Sequence, residues 1–96
     1  MMILITYDIG TTSEGGVKRL QKVAKKCESY GQRVQNSVFE CVLDYSQFTI
    51  LKHELVQLID IDNDSLRFYH LGKNYKNKVE HIGVKEALDV EDFLIF

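Results

Sequence analysis

Near its N-terminus the chain carries Met2-Ile3-Leu4-Ile5-Thr6-Tyr7-Asp8-Ile9, an almost unbroken apolar run that meets an acid. So little alternation predicts a strand covered on both faces and central in its sheet. A chain organised round such a strand must supply neighbours for both of its edges. Asp8 stands where the strand leaves the core, just ahead of Gly10 and Thr11-Thr12-Ser13. A carboxylate on a rigid strand end suits holding a hard cation or orienting a water. It equally suits capping the helix that follows.

Ninety-six residues fit one domain, 1–96. A domain of this size buries only roughly two-thirds of its unfolded surface, so dimerisation is expected. No apolar run approaches the ~20 residues that span a bilayer, so nothing is expected to span a membrane. The N-terminal run is too short and lacks the basic flank of a signal peptide, which points to the cytoplasm. Cys27 and Cys41 sit in apolar surroundings without metal-ligand spacing and read as core residues of a reducing compartment. His53, His70 and His81 are scattered, and no chemistry is assigned to them.

The net charge of −2 argues against a nucleic-acid binder on totals, but the charge is unevenly placed. Residues 1–36 hold six basic against three acidic side chains, whereas the remainder holds six against eleven. Asymmetry of this kind permits a basic binding face on an acidic protein.

Thr12 or Ser13 is placed to cap a helix running to about Tyr30, with Val17, Leu20, Val23, Ala24, Cys27 and Tyr30 as its apolar stripe. Gly15-Gly16 in its first turn weakens the start by ~1–2 kcal/mol relative to alanine. Gly31 serves as a glycine C-cap. Lys18, Lys22, Lys25 and Lys26 fall on the opposite side, either a solvated face or a phosphate-binding one. Arg33 to Leu43 is strand-like, as one long strand or as two with a tight turn near Asn36-Ser37. Asp44 or Ser46 then caps a second helix whose buried stripe is Phe48, Leu51, Leu55, Leu58 and Ile59. Asp60-Ile61-Asp62-Asn63-Asp64 has the opening spacing of a calcium loop without its later glycine and glutamate, so it reads as a solvated turn. Residues 65–71 alternate as a strand, 72–78 form a basic loop, and 79–82 form a short strand. This order makes the fold α+β and ferredoxin-like, βαββαβ, with an extra C-terminal strand. The core is about 1–78, and about 79–96 is a terminal strand segment placed at a dimer interface. Phe93-Leu94-Ile95-Phe96 is too apolar for a free chain end and is assigned to that interface.

Tyr7-Asp8-Ile9, the basic first helix, Tyr30-Gly31-Gln32-Arg33-Val34-Gln35 and Ser37-Val38-Phe39-Glu40 together resemble the CRISPR-associated protein 2 family. The resemblance runs over essentially the whole chain. It implies a ferredoxin-like homodimer with the two first-strand ends facing each other across a two-fold axis. It further implies a metal-dependent endonuclease acting on double-stranded DNA or RNA in spacer acquisition, with the CRISPR integrase subunit as partner. Asp8 matches the catalytic metal ligand, and one Mg²⁺ shared between two subunits would have two such carboxylates. Tyr7, Arg33, Ser37 and Phe39 match motif positions around the same cleft, and Lys18, Arg19 and Lys22 are the basic contacts to nucleic acid. Arg33 serves as well in a dimer salt bridge, and Phe39 as a core or interface aromatic. Thr12-Ser13-Glu14-Gly15-Gly16 departs from relatives that carry Asp and Arg there. Two further functions compete: a non-catalytic, DNA-holding dimer that bridges integrase subunits, and a toxin-like ribonuclease.

Overall fold

The computed structural model describes residues 1–71 and 79–84. The 72–78 loop and the Phe93-Leu94-Ile95-Phe96 interface lie outside them. The elements follow in the order β1 (Met2–Asp8), α1 (Gly16–Tyr30), β2 (Gln32–Gln35), β3 (Val38–Val42), α2 (Tyr45–Leu58), β4 (Ser65–Leu71) and β5 (Val79–Gly83). The strands form one antiparallel sheet in the order β2-β3-β1-β4-β5. β1 is therefore the central strand, as its apolar run predicts. β5 pairs with β4 of its own chain, so the start of the 79–96 segment closes a sheet edge within the subunit.

Ile3, Ile5 and Tyr7 of β1 are buried, together with Phe39, Cys41, Leu66 and Phe68 from its neighbours and Val23, Cys27, Phe48, Leu51 and Leu55 from the helices. Met2, Leu4 and Thr6 are only half-buried. Both helices lie on one side, so β1 is fully covered on one face rather than two. The other face nevertheless presents Met2, Leu4, Val38 and an exposed Val42.

Three details of the first helix differ from the sequence reading. Gly15, at φ 74°, is the N-cap of α1, and no side chain caps that helix. Asp8, Thr12 and Ser13 are thus not caps. Gly31 ends α1 in extended rather than left-handed backbone (φ −158°). What requires glycine there is packing, because a Cβ would run into the Glu40 carbonyl and the Cys41 sulfur. Val17 is exposed rather than part of the stripe. At 100° per residue it stands about 100° round from Gly16, whereas Val23 and Cys27 lie within about 20° of Gly16. In α2 the predicted Asp44 cap is present and forms a reciprocal capping box with Gln47.

Candidate functional site

Antiparallel register decides which side chains share a face, since directly opposed residues project the same way. Asp8 is opposite Ser65, Thr6 is opposite Arg67 and Val38, and Leu4 is opposite Tyr69 and Glu40. All of these belong to the face away from the helices. Asp8 is exposed at its end, two residues beyond the Thr6–Arg67 pair. The same sheet end receives the β2–β3 turn, where the Ser37 carbonyl accepts from the Tyr7 N–H at 3.2 Å. The chain from Asp8 to α1 closes there as well.

That closure is built on Asp64, which the solvated-turn reading of 60–64 missed. Asp64 is 0 % exposed. Its Oδ1 accepts from the Gly10 N–H at 2.9 Å and from Arg19 at 3.2 Å, and its Oδ2 accepts from Arg19 Nε at 2.8 Å and from the Asp60 N–H at 2.8 Å. Burial pushes this carboxyl up, but the Arg19 hydrogen bond, the backbone donors and the Arg19 charge outweigh it and hold the group below its ordinary value. Arg19, expected to touch nucleic acid, is committed instead to Asp64, the Glu14 carbonyl and the Ser13 hydroxyl. A signal for this was present in the sequence. Arg19 and Lys26 are seven residues apart and border the apolar stripe, so Lys26 does not fall on the opposite side as expected, while Lys18, Lys22 and Lys25 do. Lys26 accordingly pairs with Glu54 of α2 at 2.7 Å.

Tyr7 and Phe39 do not join Asp8. They point to the helix side, 5 % and 0 % exposed, with ring centroids 6.2 Å apart. Neither ring is open to a base, so both are core aromatics rather than nucleic-acid contacts. Burial, with Cys27 close by, pushes the Tyr7 hydroxyl up. Arg33 lies over Phe39 at 5.0 Å, pairs with Glu28 at 3.0 Å and donates to the Asn36 carbonyl at 3.0 Å. Its partners are in its own chain. Ser37 is half-buried in the turn beside the strand end.

Lys18, Lys22 and Lys25 are exposed, and none pairs with an acid among the described residues. Lys22 and Lys25 line a groove of about 310 Å³ with Lys26, Ser29 and Leu58, on the helix layer. Burial, then the neighbouring Cys41, pushes the Cys27 thiol up to about 12, so it is not a thiolate nucleophile.

Among the described residues, no three His, Cys, Asp or Glu side chains converge as a metal site. Glu40 shares the Asp8 face but stands opposite Leu4, four residues along β1, or roughly 13 Å away at strand rise. Among the described residues, one chain therefore brings a single exposed carboxylate, Asp8, to this sheet end. Magnesium accepts one or two carboxylates and several waters, so Asp8 fits half of such a set.

Small α+β architectures carry many activities, and it is the sequence match that places this one. The family model for CRISPR associated protein Cas2 matches residues 1–79. The CRISPR-associated endonuclease Cas2 of Halalkalibacterium halodurans is 66 % identical over 96 residues, covering all of both chains. The CRISPR-associated endoribonuclease Cas2 of Nitratidesulfovibrio vulgaris is 54 % identical over 95 residues, covering 99 % of this chain and 93 % of that one. The crystal structure of Streptococcus pyogenes Cas2 at pH 6.5 superposes with a TM-score of 0.70 at 55 % identity, covering 86 % of this chain and 100 % of the other. The chain belongs to the CRISPR associated protein Cas2 family.

Proposed function

We propose that this protein is a magnesium-dependent endonuclease of CRISPR spacer acquisition, active as a ferredoxin-like homodimer in the cytoplasm. The observation that carries the reading is Asp8, an exposed carboxylate at the end of the central strand on the face that the helices leave open. Apolar residues on that face (Met2, Leu4, Val38 and Val42) suit a second copy, and two-fold symmetry would turn one aspartate into a pair. The relatives named endonuclease and endoribonuclease point the same way. A magnesium ion held between two Asp8 carboxylates would neutralise phosphoryl charge and supply an activated water. Asp8 would hold and orient it, and Lys18, Lys22 and Lys25 would attract the phosphodiester backbone. The integrase subunit is the protein partner.

A non-catalytic scaffold is the second reading. It is favoured by the one observation that, among the described residues, each chain brings a single candidate carboxylate to the site. A gel assay separates the two, with duplex DNA and single-stranded RNA incubated with and without Mg²⁺. Cleavage that needs the metal supports the nuclease. Binding without cleavage of either substrate supports the scaffold.

The lysine face makes a separate prediction. Affinity should fall with salt by roughly one unit of log–log slope per phosphate neutralised. Lys18→Ala with Lys22→Ala should reduce that slope by about two, with no change in sequence preference. An affinity that stays flat between low and moderate salt would show that this face is not the main contact.

A further inference from the structure

We propose that Asp64 and Arg19 are positioning residues for Asp8. The inference rests on the reading of Asp8 as metal ligand. Asp64 immediately precedes Ser65, the cross-strand partner of Asp8, and its Oδ1 accepts the N–H of Gly10, two residues beyond Asp8. One carboxylate thus fixes both backbone segments that bracket Asp8. Arg19 extends the hold along the turn, with Nη1 on the Glu14 carbonyl at 2.6 Å and Nη2 on the Ser13 hydroxyl at 2.7 Å. That hydroxyl donates in turn to the Gly10 carbonyl at 2.5 Å. Gly16 packs so closely against Gly10 and Thr11 that a Cβ has no room. The turn from 10 to 16 is therefore tied at Gly10, Ser13, Glu14 and Gly16.

The chemistry of the four donors explains why an acid is needed. Two backbone N–H groups and two guanidinium nitrogens converge on the two oxygens of Asp64. An ionised carboxylate is the acceptor-only group that satisfies them all, whereas an amide would turn one acceptor into a donor. Stability alone is a weak reason for a buried ion pair, since well-packed apolar groups often serve as well or better. Here the hydrogen bonds are directed at the turn after Asp8. An exposed strand-end carboxylate must be held within about 0.5 Å to act on a metal, and this turn is what holds it.

The test uses the full chain, with Mg²⁺-dependent cleavage of a duplex DNA and a single-stranded RNA oligonucleotide and with amide exchange at Gly10 and Ser13. The variants are Arg19→Gln, Arg19→Lys, Asp64→Asn and Asp8→Asn. Arg19 is partly exposed, so Arg19→Gln is chosen to keep the fold, which circular dichroism checks. The expected result is Gly10 exchange faster by about tenfold and kcat lower by at least about tenfold, with KM within about twofold. Arg19→Lys should recover part of kcat. The proposal is overturned if Gly10 exchange is unchanged, if kcat stays at the parent value, or if Arg19→Lys is no better than Arg19→Gln. It is also overturned if Asp64→Asn cleaves like the parent. Should Asp8→Asn itself cut at the parent rate, the reading of Asp8 fails and takes this role with it. If Asp8→Asn is inactive while Arg19→Gln is fully active, only the positioning role fails.

Discussion

Asp8→Asn should cut nucleic acid at least about a hundredfold more slowly than the parent, the loss expected when a chief electrostatic contributor is removed. Asparagine keeps the shape of the side chain and removes charge from both halves of a symmetric site at once. The fold should survive, because the side chain is exposed and the helix that follows is capped by Gly15 rather than by Asp8. The melting curve by circular dichroism should therefore overlay that of the parent while cleavage is lost. A well-folded variant with undiminished cleavage would remove Asp8 from the chemistry and bring the scaffold reading forward.

Asp64→Ala should have the largest effect on stability. Removing one member of a buried, hydrogen-bonded ion pair costs roughly 3–5 kcal/mol, because its partners are left unsatisfied. Here those partners are the Arg19 guanidinium and the N–H groups of Gly10 and Asp60. Against a total stability of about 5–15 kcal/mol for a typical domain, the urea midpoint should drop far or folding should fail. The same carboxylate gives the protein a pH dependence of known sign. Its folded value is lowered, so its contribution is complete above the ordinary carboxylate value of about 3.9. It is lost as pH falls through the lowered folded value. The parent should lose stability below about pH 4, and Asp64→Asn should lack that component of the slope. An Asp64→Ala variant with parental midpoint would show that the network carries little of the stability.

What the sequence made legible was local. The Asp44 cap and the buried stripe of Phe48, Leu51 and Leu55 follow from propensity and period and appear in the molecule, whereas residues 33–43 read equally as one strand or two, and the molecule takes two with a turn at Asn36-Ser37. The centrality of β1 was equally readable from its apolar run. Features that depend on what meets what in space were not. Asp64 looks like one acid among three in a polar turn, and only the arrival of Arg19 and Gly10, 45 and 54 positions earlier, makes it a buried anchor. The motif Tyr7-Asp8 names two neighbours that a strand necessarily points to opposite faces, so Tyr7 enters the core as Asp8 leaves it. Phe39 follows Tyr7 inward for the same reason, being opposite Ile5 on the helix side. The glycine at 31 is required by Glu40 and Cys41 on a neighbouring strand, which no local rule for helix ends contains.

The central claim is that two Asp8 carboxylates, one from each of two chains, share one divalent ion. Counting bound ions tests it most directly, with Mn²⁺ as the paramagnetic probe because it takes the same octahedral oxygen coordination as magnesium. An electron paramagnetic resonance titration of the purified protein should saturate at one competitively Mg²⁺-displaceable ion per two chains, and Asp8→Asn should abolish that binding. One ion per chain, or binding that persists undiminished in Asp8→Asn, would contradict the account.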